Sequence, residues 1–197
     1  MKNSVLALFC VAALTACKKN ESTVTDTSTD SVDMVYPMDS AMTDTTMVSG
    51  TTQMNEQDRT FANDAAKGGM MEVMVGNLAA GKATNAKVKS LAEMMVRDHS
   101  KANDELKSWA TGAAFTLPSA VDDNQKKEHD DLQARSGAEF DRAYADMMVR
   151  HHTETIEKFK QQASGGSDSS LKAFAEKTLP TLEHHLMEAQ ATRDAVK

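Results

Sequence analysis

Two stretches decide how this chain reads: MMVRDHS, Met94–Ser100, and MMVRHHT, Met147–Thr153. Residues four apart on a helix share a face, so Met95 lies in line with His99 and Met148 with His152. In each phrase a histidine therefore falls where a packing stripe calls for an apolar side chain. The question is what two buried imidazoles on two helices are for.

The flanking sequence is helical throughout. Beyond Asn55 it is rich in Ala, Met, Lys, Glu and Leu, with apolar residues recurring at three and four. A first helix is expected from about Glu56 to Ala80, with Phe61, Ala65, Gly68, Val75 and Ala79 on its stripe and Gly81 as its stop. A second runs from near Asn85 to Thr111-Gly112, a third from Ala138 to about Ala163, and a fourth from Ser169 to about Ala195. The segment Ala113 to Gly137, with Pro118 and a polar run from Asp122 to Asp131, is a long connection with room for one short surface helix. The fold class is all-α: a ferritin-like four-helix bundle of two helical hairpins joined by a long crossover carrying one short helix.

Polar residues inside the stripes mark the candidate site. On the first helix the series 61, 65, 68, 72, 75, 79 brings in Glu72, and on the second the series 88, 91, 95, 99, 102, 106 brings in His99. Adjacent helical residues diverge by about 100°, so only one of His151 and His152 can follow Met148, Ile156 and Phe159 into the core, and that is His152. The same test on Leu171, Ala175, Leu182 and Ala189 selects His185 over His184. At 1.5 Å per residue, Glu72 and His99 lie roughly 15 and 22 Å from the turn between their helices, and His152 and His185 roughly 18 and 25 Å from theirs. The four groups can meet in one layer.

One carboxylate and three imidazoles at such a layer have two readings. A single transition-metal ion, zinc, iron or copper, would satisfy all four as ligands. A hydrogen-bonded network among Glu72, His99, His152 and His185 would fix the packing without binding anything. Met95 and Met148 would add soft donors and favour copper, or simply fill core space. Asp98 stands beside the seam, either accepting from His99 or facing water. His129, in a polar run, reads as a solvated side chain. No Glu-x-x-His occurs anywhere, which disfavours the di-iron centre of ferritin-like oxidases.

The N-terminal part has a different character. Lys2, the apolar run Val5 to Leu14 and Leu14-Thr15-Ala16-Cys17 have the pattern of a bacterial lipoprotein signal, residues 1–16, with cleavage before a lipidated Cys17. The apolar run is too short for a permanent membrane span. Residues 17–54 then read as a lipidated cysteine and a disordered acidic tether, spanning roughly 35 Å. The domain proper is 55–197. On this reading the protein is held in the cell envelope by its lipid, on the periplasmic side or at the outer membrane, with no free thiol in the mature chain.

A formal net charge of -7 and the lack of any Lys/Arg cluster with interleaved aromatics argue against a nucleic-acid partner. No catalytic triad spacing, phosphate loop or nucleophilic cysteine supports a hydrolase or transferase, so the sequence leans away from an enzyme.

From Asp58 to the C-terminus the chain resembles a bacterial family known only as domain of unknown function 4142. The resemblance rests on Phe61, Ala65 and Glu72, on Met95-Val96-Arg97-Asp98-His99-Ser100, on Phe140-Asp141 with Tyr144, on Met148-Val149 with His152, and on Thr178-Leu179-Pro180 with His185. It implies a ferritin-like fold and an exported or outer-membrane location. The family pattern is polar other than His at 151 and Glu at 184, which agrees with setting both histidines outside the layer. Residues 147–152 are also similar to a Met and His-His motif of another small exported helical family that has been linked to metals. Two functions stay open: an anchored metal-binding bundle, or a non-enzymatic envelope bundle acting in structure, stress response or partner binding.

Overall fold

Asn55 opens the domain with a reciprocal cap: its side chain accepts from the Asp58 amide at 2.8 Å, and the Asp58 carboxylate accepts from the Asn55 amide at 3.0 Å. The helix that follows, α1, spans Glu56–Lys82. The computed structural model describes residues 54–197, so the expected export signal, Cys17 and nearly all of the tether lie outside the described residues. Four more helices follow: α2 Ala86–Gly112, α3 Asp123–Gln133, α4 Gly137–Gly165 and α5 Ser169–Ala195. No strand occurs among the described residues, and none of the helices is long and apolar enough to cross a membrane.

The helix ends differ from expectation in one instructive place. Gly81 does not stop α1, which continues to Lys82 and is capped at Ala83. A single glycine costs a helix only about 1 kcal/mol. The chain turns instead where a distant carboxylate captures its amides: Asp141, on α4, accepts from Thr84 N at 3.0 Å and Asn85 N at 2.9 Å. Asp58 does the same at the other end of the bundle. It accepts from the amides of Ser167 and Asp168, at 3.0 and 3.1 Å, and from Gln162 Nε2 at 2.7 Å. Each hairpin turn is thus held by a buried aspartate near the start of a helix in the other hairpin.

Those two clamps set the topology. The turn between α1 and α2 lies at the start of α4, and the turn between α4 and α5 lies at the start of α1. Trp109, late in α2, donates to Asp168 at that second end, 3.2 Å. Hence α2 and α4 run in the same direction, α1 and α5 in the opposite one, and the crossover through α3 returns along the length of the bundle. The main packing is α1 on α2 and α4 on α5, with α1 beside α4 and α2 beside α5. That is the ferritin-like arrangement of two hairpins and one long crossover. α3 lies against α1 and α4, so it is more than a surface decoration.

The core has two halves. One gathers Met71, Val75, Leu91, Met95, Phe140, Tyr144 and Met148 around the α1–α2 turn. The other gathers Phe61, Leu106, Ile156, Phe159, Leu171 and Leu182 toward the opposite end. Between Met95 and Leu106 on α2, between Met148 and Ile156 on α4, and between Leu182 and Ala189 on α5 stand His99, His152 and His185, all buried. The polar layer divides one apolar core into two.

Candidate metal centre

The repeated phrase falls on α2 and α4, which share a direction and face each other diagonally across the bundle. Equal spacing from Met95 and Met148 therefore delivers His99 and His152 to one level. Their Nε2 atoms are 3.4 Å apart. From α5, His185 brings Nδ1 to 3.3 Å from His152 Nε2. The three inward nitrogens all lie within 4.8 Å of one another.

What those nitrogens carry follows from their outer partners. His152 Nδ1 is 2.9 Å from the Met148 carbonyl oxygen. A carbonyl only accepts, so Nδ1 donates, and the neutral ring presents a lone pair at Nε2. His185 Nε2 is 3.0 Å from Asp98 Oδ2. Burial pushes Asp98 up, but hydrogen bonds from Arg97 and His185 outweigh it and hold the carboxyl below its usual range, so it too accepts. Burial pushes the His185 pKa down, against the pull of Asp98, so its neutral ring turns a lone pair inward at Nδ1. Two lone pairs then face each other at 3.3 Å, and one hydrogen at most, on His99 Nε2, is shared between them. Burial also drives His99 down to about 4, with Glu72 opposing and the neighbouring imidazoles adding to the fall. The layer is a cluster of convergent ring nitrogens with fewer hydrogens than acceptor positions.

Glu72 is buried at 5% exposure yet stands outside this three-histidine group. Its Oε1 pairs with His151 Nδ1 at 3.1 Å, while Oε2 has no partner. Burial pushes its pKa up. The His151 hydrogen bond and the electrostatic pull of the facing imidazoles His152, His99 and His151 outweigh that, and the carboxyl is held down at about 2. His151, read from the sequence as facing away, is half-buried and bridges two carboxylates, its Nε2 lying 2.9 Å from Glu128 Oε2 on α3. Burial alone would lower the His151 pKa, but Glu72 and Glu128 raise it. The signal for His151 was present: Phe140, Tyr144 and Met147 are buried, and His151 continues their series at four, three and four. α4 is buried along a wide stripe because α3 covers its flank.

The remaining candidates are placed as follows. Asp98 orients His185 rather than His99, since the residue preceding His99 is turned about 100° away from it and toward α5. Met95 and Met148 are fully buried in the apolar half next to the layer, and Met148 contributes its carbonyl to His152. His184 is exposed. His129 is partly covered and sits 3.1 Å from Asp130, away from the layer. Cys17 lies outside the described residues.

A two-hairpin helical bundle split by a buried layer of three convergent histidines is the class these observations define. The chain belongs to the family described as domain of unknown function (DUF4142), whose model matches residues 43–192. Among solved structures it is similar to the crystal structure of a DUF305 fragment from Deinococcus radiodurans, with a TM-score of 0.64 and 10% sequence identity over 72% of this chain and 98% of that one. At that identity the likeness concerns the fold. No functionally curated protein matches the chain.

Proposed function

We propose that the domain binds one transition-metal ion through His99 Nε2, His152 Nε2 and His185 Nδ1. The observation that carries this reading is the pair of facing lone pairs at His152 and His185, each fixed by the donation of its opposite ring nitrogen. Without a cation, one proton serves the inward atoms of three rings, which is a poor use of buried polar groups. A divalent ion engages all three at once. Asp98 and the Met148 carbonyl then act as the outer partners that orient metal-bound imidazoles.

Three imidazoles suit zinc, copper or iron, and a three-ligand set leaves a position open for a further donor. The buried position of Met95 and Met148 against the layer supports packing as their role. The alternative is an envelope bundle whose polar layer only fixes register, acting in structure, stress response or partner binding. The location of the layer between two apolar clusters favours it. We assign no reaction to either.

The test is elemental analysis of the protein purified without chelator, beside the double variant His99→Ala, His152→Ala. Near-stoichiometric metal in the first and its loss in the second is the expected result. Trace metal in both, with no thermal stabilisation on adding zinc, copper or iron, refutes metal binding.

The lipoprotein pattern at Leu14–Cys17 further supports an N-terminal lipid anchor at Cys17 that holds the domain in the bacterial envelope. Cys17→Ser should move the protein from the membrane to the soluble fraction; retention in the membrane refutes the anchor.

A further inference from the structure

The three histidines are closed in. His152 and His185 are 1% exposed and His99 8%, with an apolar cluster on either side, so an ion needs a path to reach them. A cavity of about 280 Å³, lined by all five helices, has His99, His152 and Glu72 on its wall. Phe61, Leu106 and Phe159 line its apolar side. Toward its outer rim stand Asp64 and Asp122, paired with Lys158 and Lys67, Glu128, paired with Arg150 and His151, and the exposed Glu154. α3 supplies Glu128 and is capped by Asp122, so the crossover helix forms part of the rim. Inside, Glu72 presents a buried carboxylate oxygen with no hydrogen-bond partner, and its other oxygen is anchored by His151.

We propose that this cavity is the entry path for a divalent cation and that Glu72 is its transit ligand, receiving the ion from the rim and passing it to His99 and His152. The proposal rests on the metal reading above and adds a route and a step. An aquo ion enters a narrow, partly apolar site only if each water it sheds is replaced by a donor, and carboxylate oxygen is the hard donor suited to an ion still partly hydrated. The rim carboxylates offer the first such donors. The free Oε2 of Glu72 is the donor between the rim and the imidazoles, and its lack of a partner leaves it available.

The fold offers a plug. Gly68 lines the cavity, and a Cβ at that position meets nothing within 4 Å. Gly68→Leu therefore adds an apolar side chain at the wall of the path with no clash at its Cβ, and replaces a helical glycine with a better helix former. The neighbouring Gly69 could not serve, since a Cβ there would fall 1.9 Å from Asn103 Oδ1.

Stopped-flow mixing of chelator-stripped protein with cobalt(II), followed by its ligand-field absorbance, measures loading; competition with a chromophoric chelator measures equilibrium affinity. Gly68→Leu and Glu72→Gln are each expected to load more slowly by about tenfold or more and to reach the final spectrum of the unmodified protein, Gly68→Leu with affinity within about threefold. Loading of Gly68→Leu at the unmodified rate overturns the path. Loading of Glu72→Gln at the unmodified rate overturns the transit step, and a changed final ligand-field spectrum in that variant overturns it too by making Glu72 a standing ligand. Failure of the unmodified protein to take up cobalt, zinc or copper overturns the metal reading itself, which the controls separate from the other outcomes.

Discussion

In chelator-treated protein, acidification should expose the cost of burying His99. Its pKa falls from 6.5 to about 4 on folding, chiefly through desolvation. Between those values the unfolded chain binds a proton that the folded chain does not, so stability falls as pH falls. The gap between 6.5 and about 4 is worth on the order of 3 kcal/mol. His185, also lowered, acts in the same direction. Glu72, lowered from 4.5 to about 2, continues the loss at more acidic pH. His151 has the opposite sign: its raised pKa gives a contribution fully present below 6.5 and lost as pH rises through the folded value. The assay is urea denaturation at a series of pH values from 4 to 7, comparing the unmodified protein with His99→Leu. The unmodified midpoint should climb with pH over that interval, and the variant should lose a part of the climb worth on the order of 3 kcal/mol. A variant with the same slope as the unmodified protein would refute the claim that a desolvated neutral His99 sits in the layer.

Asp58→Ala strands the amides of Asn55, Ser167 and Asp168 and the amide group of Gln162. At about 1–3 kcal/mol for each unmet donor, partly relieved by water, it should cost about 4 kcal/mol, read as a thermal midpoint lower by about 8–16 °C. Asp64→Ala, which removes surface ion pairs with Lys158 and Lys67, should cost less than about 1 kcal/mol in the same assay. Asp98→Asn should weaken metal affinity by about 10–100-fold in a chelator competition, because His185 loses its ionised acceptor; unchanged affinity would remove Asp98 from the centre.

Much of this arrangement was legible in the sequence because helical periodicity is a local property. The spacing from Met95 to His99 and from Met148 to His152 fixed which imidazoles turn inward, and the stripe through Leu182 and Ala189 did the same for His185. The distance of each from its hairpin turn placed all three at one level. What could not be read was any contact set by the crossover. Asp58 and Asp141 are unremarkable first-turn carboxylates until the topology brings a turn from the other hairpin onto them. His151 continues the α4 series of Phe140, Tyr144 and Met147, but that this flank is covered rather than solvated is decided by α3 and its Glu128. Glu72 lies at the right level on the right stripe, yet the partner it finds is His151, whose position depends on the same long-range packing. Asp98 was visible beside the seam, but its choice of His185 over His99 is decided by which helix stands on that side.

Zinc K-edge X-ray absorption on the protein loaded with one equivalent of zinc distinguishes His99, His152 and His185 as ligands from a hydrogen-bonded layer. As ligands they should give a first shell containing three imidazole nitrogens at about 2.0–2.1 Å, with the outer-ring scattering of histidine. Loss of that scattering in His99→Leu should accompany the loss of tight binding. A spectrum of hydrated or carboxylate-only zinc in the unmodified protein, or one unaltered by His99→Leu, would contradict their role as ligands.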